Sequence, residues 1–135
     1  MTIDKEKISL LIEEALEELP SLFRENIKNV EFVVEDYPDP ETQRRFGSQF
    51  LLGLYQGIPL PRRGRNYNLV IPDRIVLYRK NLERIAGHNW PEEVKKVLWH
   101  EIGHYFGLSD EELRKLSNQR SPFRAPDNNE KQNSI

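Results

Sequence analysis

The chain has 135 residues, 31% of them charged, with a net charge of −2 and no cysteine. That length suits one domain with a modest core, and the small net charge gives no global pull toward nucleic acid. Without cysteine, disulfides and thiolate metal sites are excluded, so any metal must be held by histidine and carboxylate.

The start, Met1 to Lys7, carries Asp4 and Glu6 and no apolar core, so it does not read as a signal peptide. No run approaches the roughly 18 apolar residues needed to span a membrane. The expected location is cytoplasmic, with no membrane partner. Ile3, Ile8, Leu11, Ile12, Ala15, Leu16 and Leu19 recur at helical spacing with Glu and Lys between them. They predict an amphipathic helix that covers a sheet, capped by Thr2 or Asp4 and interrupted by Pro20. Residues 21–26 add a helical turn anchored by Leu22 and Phe23.

Val30-Glu31-Phe32-Val33-Val34-Glu35 alternates and is rich in β-formers, so it is the first strand. Asp36-Tyr37-Pro38-Asp39-Pro40 ends it, and the chain up to Gln49 reads as loop. Residues 50–56 form a second strand, where Gly53 weakens pairing or permits a close backbone approach. Residues 69–71 and 74–78 read as two more short strands, divided by Pro72 and Asp73. Between the second and third strands lie Arg62, Arg63 and Arg65, a basic loop that grips phosphate or a substrate carboxylate, or is simply a solvated turn.

A short helix over 81–86 precedes Gly87, and Pro91 with Glu92 and Glu93 opens a longer one. Val94, Val97, Leu98, Ile102 and Tyr105 form its buried stripe, widened by Trp99 and Phe106. A helix this apolar is expected to be largely enclosed, with its histidines lining an internal cleft. A last helix runs to about Ser117, which closes the predicted domain at 1–117. Residues 118–135 are polar, with Phe123 and Ile135 as their bulky apolar residues, and read as a disordered tail. There are no internal repeats.

The most informative stretch is His100-Glu101-Ile102-Gly103-His104-Tyr105-Phe106-Gly107-Leu108-Ser109-Asp110. On a helix, His100 and His104 leave one face a turn apart, and two neutral imidazoles at that spacing can bind one Zn²⁺. Glu101 sits beside them as candidate general base, in the H-E-x-x-H arrangement of zinc metallopeptidases. Gly107 can end the helix in a left-handed conformation and turn the chain back. Asp110 then offers a third ligand, giving H-E-x-x-H-x-x-G-x-x-D, the metzincin spacing with aspartate in place of histidine. Asp110 has a second reading. Ser109-Asp110-Glu111-Glu112 is also a capping-box start, in which an acid at the first helical position suits the dipole.

Four stretches resemble a small bacterial zincin-like family of minimal zinc metallopeptidases. They are residues 51–57 with Pro59, residues 72–78, His100 to His104, and Phe106-Gly107-Leu108-Ser109-Asp110-Glu111. The resemblance implies an α+β fold, a small mixed sheet of about four strands packed on an N-terminal helix and a central zinc-site helix. It implies one zinc ion on His100, His104 and Asp110, with Glu101 as base. Met1 is the only methionine, so there is no Met-turn beneath the metal and the chain is not a standard metzincin. A gluzincin takes its third ligand, a glutamate, well downstream; only Glu130 lies that far along. His88 reads as a surface loop residue, with a ligand or substrate contact as the alternative.

The expected activity is hydrolysis of peptide bonds in a peptide or protein substrate, with Tyr55, Tyr67 and Tyr78 open as oxyanion donors. If the second strand is an edge, it can pair with an extended peptide. Two rivals stand beside this reading. One is a non-catalytic or regulatory zincin-fold binding protein; the other is a zinc hydrolase of a non-peptide substrate, for which the arginine loop would matter.

Overall fold

The structure, a computed structural model, describes residues 2–62 and 72–117. Helix α1 (Lys5–Glu17) starts after Asp4 and presents Ile8, Leu11, Ile12 and Ala15 to the core. Pro20 stops it from continuing and caps the single turn α2 (Ser21–Arg24). Phe23 packs edge-on against Phe106 at 5.2 Å. Leu22, the other expected anchor, is 67% exposed and anchors nothing.

Strands β1 (Val30–Glu35), β2 (Gly53–Gln56) and β3 (Asp73–Tyr78) make a mixed sheet in the order β1-β3-β2. β1 lies parallel to β3 with Val30 opposite Asp73, and β2 lies antiparallel with Tyr55 opposite Ile75. The described residues thus hold three strands, one fewer than expected, and the candidate strand 69–71 lies outside them. The central position of β3 explains its unbroken Ile75-Val76-Leu77-Tyr78 run, since it is covered on both faces.

The expected loop before β2 instead contains α3 (Pro40–Phe46). Its cues are local: the Asp39 carboxylate accepts the Thr42 N–H at 2.7 Å, and Pro40 occupies the first turn. After β2 come a 3₁₀ turn (Leu60–Arg62) and, beyond β3, α4 (Arg79–Ile85).

Helix α5 (Trp90–Tyr105) lies along the sheet, and α6 (Asp110–Ser117) follows it. Its buried Val94, Leu98, Ile102 and Tyr105 fall at helical intervals and meet α1, β3 and Leu113 of α6 in one core. Each such aliphatic side chain contributes about 1.5–3 kcal/mol by leaving water. Trp99 Nε1 donates to the Ala15 carbonyl at 3.0 Å, which fixes α1 across α5. The buried ammonium of Lys95 is ringed by Glu18, Glu14 and Glu92 at 2.6, 3.2 and 3.7 Å. The hydrogen bond it donates to Glu18 leads in holding its pKa up, against the opposing effect of burial.

α5 comes unusually close to β2. A Cβ on Gly53 would lie 3.0 Å from Val97 Cγ1 and 3.1 Å from the Val76 carbonyl. Glycine at that position is therefore what lets the helix lie against the strand. The alternation of β2 points the Tyr55 N–H away from β3, toward α5.

Candidate metal centre

His100 and His104 leave α5 on one side, with their rings edge-to-face at 4.8 Å. Gly107 follows the helix at φ 87°, and its N–H donates to the His104 carbonyl at 2.9 Å. A Cβ there would lie 2.7 Å from Pro61 Cγ, so the absent side chain serves both the turn and the close seat of Pro61. The Leu108 N–H donates back to the Gly103 carbonyl at 2.9 Å, completing the reversal.

The reversal delivers Asp110 to the imidazoles. Its Oδ1 lies 3.0 Å from His100 Nε2 and 3.2 Å from His104 Nε2. The two readings of Asp110 are compatible. The Ser109 N–H donates to Glu112 Oε1 at 2.8 Å, and the Glu112 N–H donates to Ser109 Oγ at 3.1 Å. That reciprocal capping box starts α6 with Asp110 in its first turn, facing the histidines. Buried Leu113, one turn on, ties α6 to the core.

Glu101 is buried within the core side of the same helix. The Tyr55 N–H donates to its Oε1 at 2.9 Å, so the edge of β2 holds the carboxylate. Ligand atoms of His100, Glu101 and His104 all lie within 4.8 Å of one another. Asp110 Oδ1, at 3.0 and 3.2 Å from the two Nε2 atoms, lies beside the same group. Burial raises the Glu101 pKa, opposed by His104, His100 and the Tyr55 N–H.

The donor set fits zinc. His104 Nδ1 lies 3.0 Å from the Leu108 carbonyl oxygen, which can only accept, so the hydrogen of a neutral ring sits on Nδ1. Its Nε2 then turns a lone pair toward the Asp110 carboxylate at 3.2 Å. Two acceptors face each other there, an arrangement that a cation between them resolves. The Nδ1–H bond to the Leu108 carbonyl is the outer hydrogen bond that would orient this imidazole on a metal. Tetrahedral arms of about 2.1 Å imply donor–donor edges of about 3.4 Å, and the observed 3.0 and 3.2 Å lie near that value.

The histidines are not enclosed as their helix suggested. His100 and His104 keep 37% and 28% of their side-chain surface, and Asp110 keeps 72%. The core-facing side of α5 is buried, which leaves these three groups on an open surface. Two clefts flank them. One of about 390 Å³ lies beside His100 and Glu101, walled by Phe50, Leu51, Leu52 and Val97. The other, about 500 Å³, lies beside His104, between Tyr55, Pro59, Arg62 and Ser109.

The tyrosines sort themselves by partner. The Tyr55 hydroxyl donates to buried Asp73 at 2.6 Å. Tyr78 is buried in the sheet, where burial first and Glu35 second push its pKa up to about 12. Tyr67 lies outside the described residues. Tyr105 donates to the Asn26 carbonyl and receives the Lys28 N–H, both at 3.1 Å, which ties α5 to the segment before β1. His88 is exposed in the turn before α5, at the end of that helix away from His100 and His104. Two groups escaped the sequence reading: the Tyr55 N–H, whose role depends on β2 being an edge, and Asp73, whose partner is 18 residues away.

Two imidazoles on one helix, with a glutamate between them held by a strand, is the arrangement of a zincin-type fold. The model of the zincin-like metallopeptidase family matches residues 27–120, well over half of the chain, and the protein belongs to that family. Zinc binding is a property the family brings with it, and the His-Glu-His group supplies the residue types for it. A conserved hypothetical protein from Thermus thermophilus is similar among solved structures, with 25% identity and a TM-score of 0.49. The match covers 86% of this chain and 99% of that one. No curated protein sequence matches the chain. No helix among the described residues is long and apolar enough to cross a membrane.

Proposed function

We propose that this protein is a zinc-dependent peptidase in which His100, His104 and Asp110 hold the ion and Glu101 is the general base. One observation carries the reading: Asp110 Oδ1 meets both imidazole Nε2 atoms, at 3.0 and 3.2 Å, beside the buried Glu101. When bound, zinc would polarise a scissile carbonyl and lower the pKa of a coordinated water toward about 7.

The chain's own residues do the rest. The Tyr55 amide occupies Glu101 Oε1, so proton transfer falls to Oε2. Burial raises the proton affinity of this carboxyl, which suits a group that takes a proton from water and then hands it to a leaving amine. A peptide substrate suits the site because β2 is an outer strand of the sheet among the described residues and a cleft lies on either side of the histidines.

The test is Glu101→Gln in zinc-loaded protein, assayed on a broad peptide library. Glutamine keeps an oxygen for the Tyr55 N–H while removing the base. Zinc should stay bound while hydrolysis falls by a factor on the order of 10² to 10⁴. Equal turnover by both proteins would remove Glu101 as base. A fully loaded wild type that cleaves nothing would favour a binding role.

A further inference from the structure

The two clefts beside the histidines differ in chemistry. The one at His100 is walled mainly by apolar side chains, with Lys96 and Glu101 as its charged members. The one at His104 is walled by Tyr55, prolines, Leu108 and Ser109, and Arg62 is the sole charged residue on its described lining. No carboxylate pairs with Arg62 among the described residues; Asp73, bonded to the Tyr55 hydroxyl, and Asp110, beside His104, stand behind the lining. A bound dication next door would add to the same sign.

The backbone at Arg62 is also held in place. Pro59 and Pro61 fix two backbone angles of its loop. The Arg62 N–H donates to the Pro59 carbonyl at 2.9 Å. Pro61 sits against Gly107, where even a Cβ would come within 2.7 Å. The arginine is thereby anchored to the turn that carries the metal-site aspartate. A concave surface of one charge sign with low-dielectric walls concentrates its field on the ligand, and a guanidinium suits a planar carboxylate in two-point contact.

We propose that the cleft beside His104 is a carboxylate subsite, and that Arg62 selects peptides carrying an acidic group close to the scissile bond on that side only. The proposal rests on the peptidase reading above and gives it a substrate class. A glutamate or aspartate side chain and a free C-terminal carboxylate share this chemistry, so the two sources are separated by experiment.

The experiment uses the full zinc-loaded chain and two peptide series. In the first, blocked peptides differ only by Glu or Gln at successive positions. In the second, the same peptides end in a free acid or an amide. Binding is measured by calorimetry and cleavage as kcat/KM. One series should show at least a tenfold preference for the acid, about 1.4 kcal/mol, and which series shows it names the source. Arg62→Gln should collapse that ratio to near one, and Arg62→Lys should restore part of it. Because Arg62 is exposed, the fold should survive both changes. A ratio unchanged in Arg62→Gln, or no acid preference in either series, overturns the subsite even if peptides are cleaved. An Arg62-dependent acid preference in binding with no cleavage would support the subsite and remove the peptidase reading instead.

Discussion

Helix α5 carries two polar clusters, and they are opposites. At Lys95 a buried ammonium, 5% exposed, is met by the carboxylates of Glu14, Glu18 and Glu92. Each acid there has its cation within the chain. At His100 and His104 two imidazoles meet Asp110 and Glu101, and no Lys or Arg among the described residues pairs with either acid. The first cluster is complete and joins α1 to α5. The second gathers its acceptor atoms with no such cation among the described residues. That difference distinguishes the two clusters more sharply than burial does, and the one at the histidines is the more exposed.

The largest effect expected from this contrast is on zinc. His100→Ala or His104→Ala should abolish stoichiometric binding, a loss of more than about 10³-fold in affinity by calorimetric titration, as each removes one of three donors. Wild-type affinity in either variant would dissolve the distinction between the clusters.

A smaller effect should come from the capping box. Ser109→Ala removes the acceptor for the Glu112 N–H, at about 1 kcal/mol for a typical cap. If the box holds Asp110 toward the histidines, zinc affinity should fall about fivefold, and Ser109→Thr should restore it. The box also has a pH signature. The Ser109 N–H and hydroxyl hold the Glu112 pKa below its ordinary value. Its contribution is complete above about pH 4.3 and disappears as pH falls through the lower folded value. Helix content of wild type should therefore drop at that acid end more than in Glu112→Gln.

The smallest effect should come from the complete cluster. Lys95→Met keeps most of the packing and frees three half-exposed acids. The melting midpoint should move by no more than about 5 °C, roughly 1 kcal/mol, with zinc affinity unchanged within about twofold. A large loss of zinc would mean that the two ends of α5 are coupled through the helix.

Much of this was legible in the sequence because it is local. The four-residue spacing of the histidines, the helix-ending Gly107 and the Ser109–Glu112 box each act within about one turn. So do the apolar stripes of α1 and α5, which only a 3.6-residue period explains. The family resemblance and the α+β class follow from the same stretches. α3 was missed although its signals are local too, because Pro38 and Pro40 around Asp39 read as loop. What the sequence could not supply depends on pairing across distance. That β2 is an edge, that its Tyr55 amide meets Glu101, and that Lys95 is buried among acids 77 and 81 positions earlier all follow from tertiary packing. The exposure of the histidines was misjudged for a related reason, since α5 buries one stripe and the opposite face stays open.

The most direct test is an anomalous-difference map at the zinc edge from crystals of the zinc-loaded protein. One peak should lie between His100 Nε2, His104 Nε2 and the Asp110 carboxylate, at about 2.0–2.2 Å from each donor. Its fourth position should open to the surface, and Glu101 should remain on the Tyr55 N–H. A peak bound to Glu101 with Asp110 turned away, or a fourth protein ligand closing the site, would contradict this account.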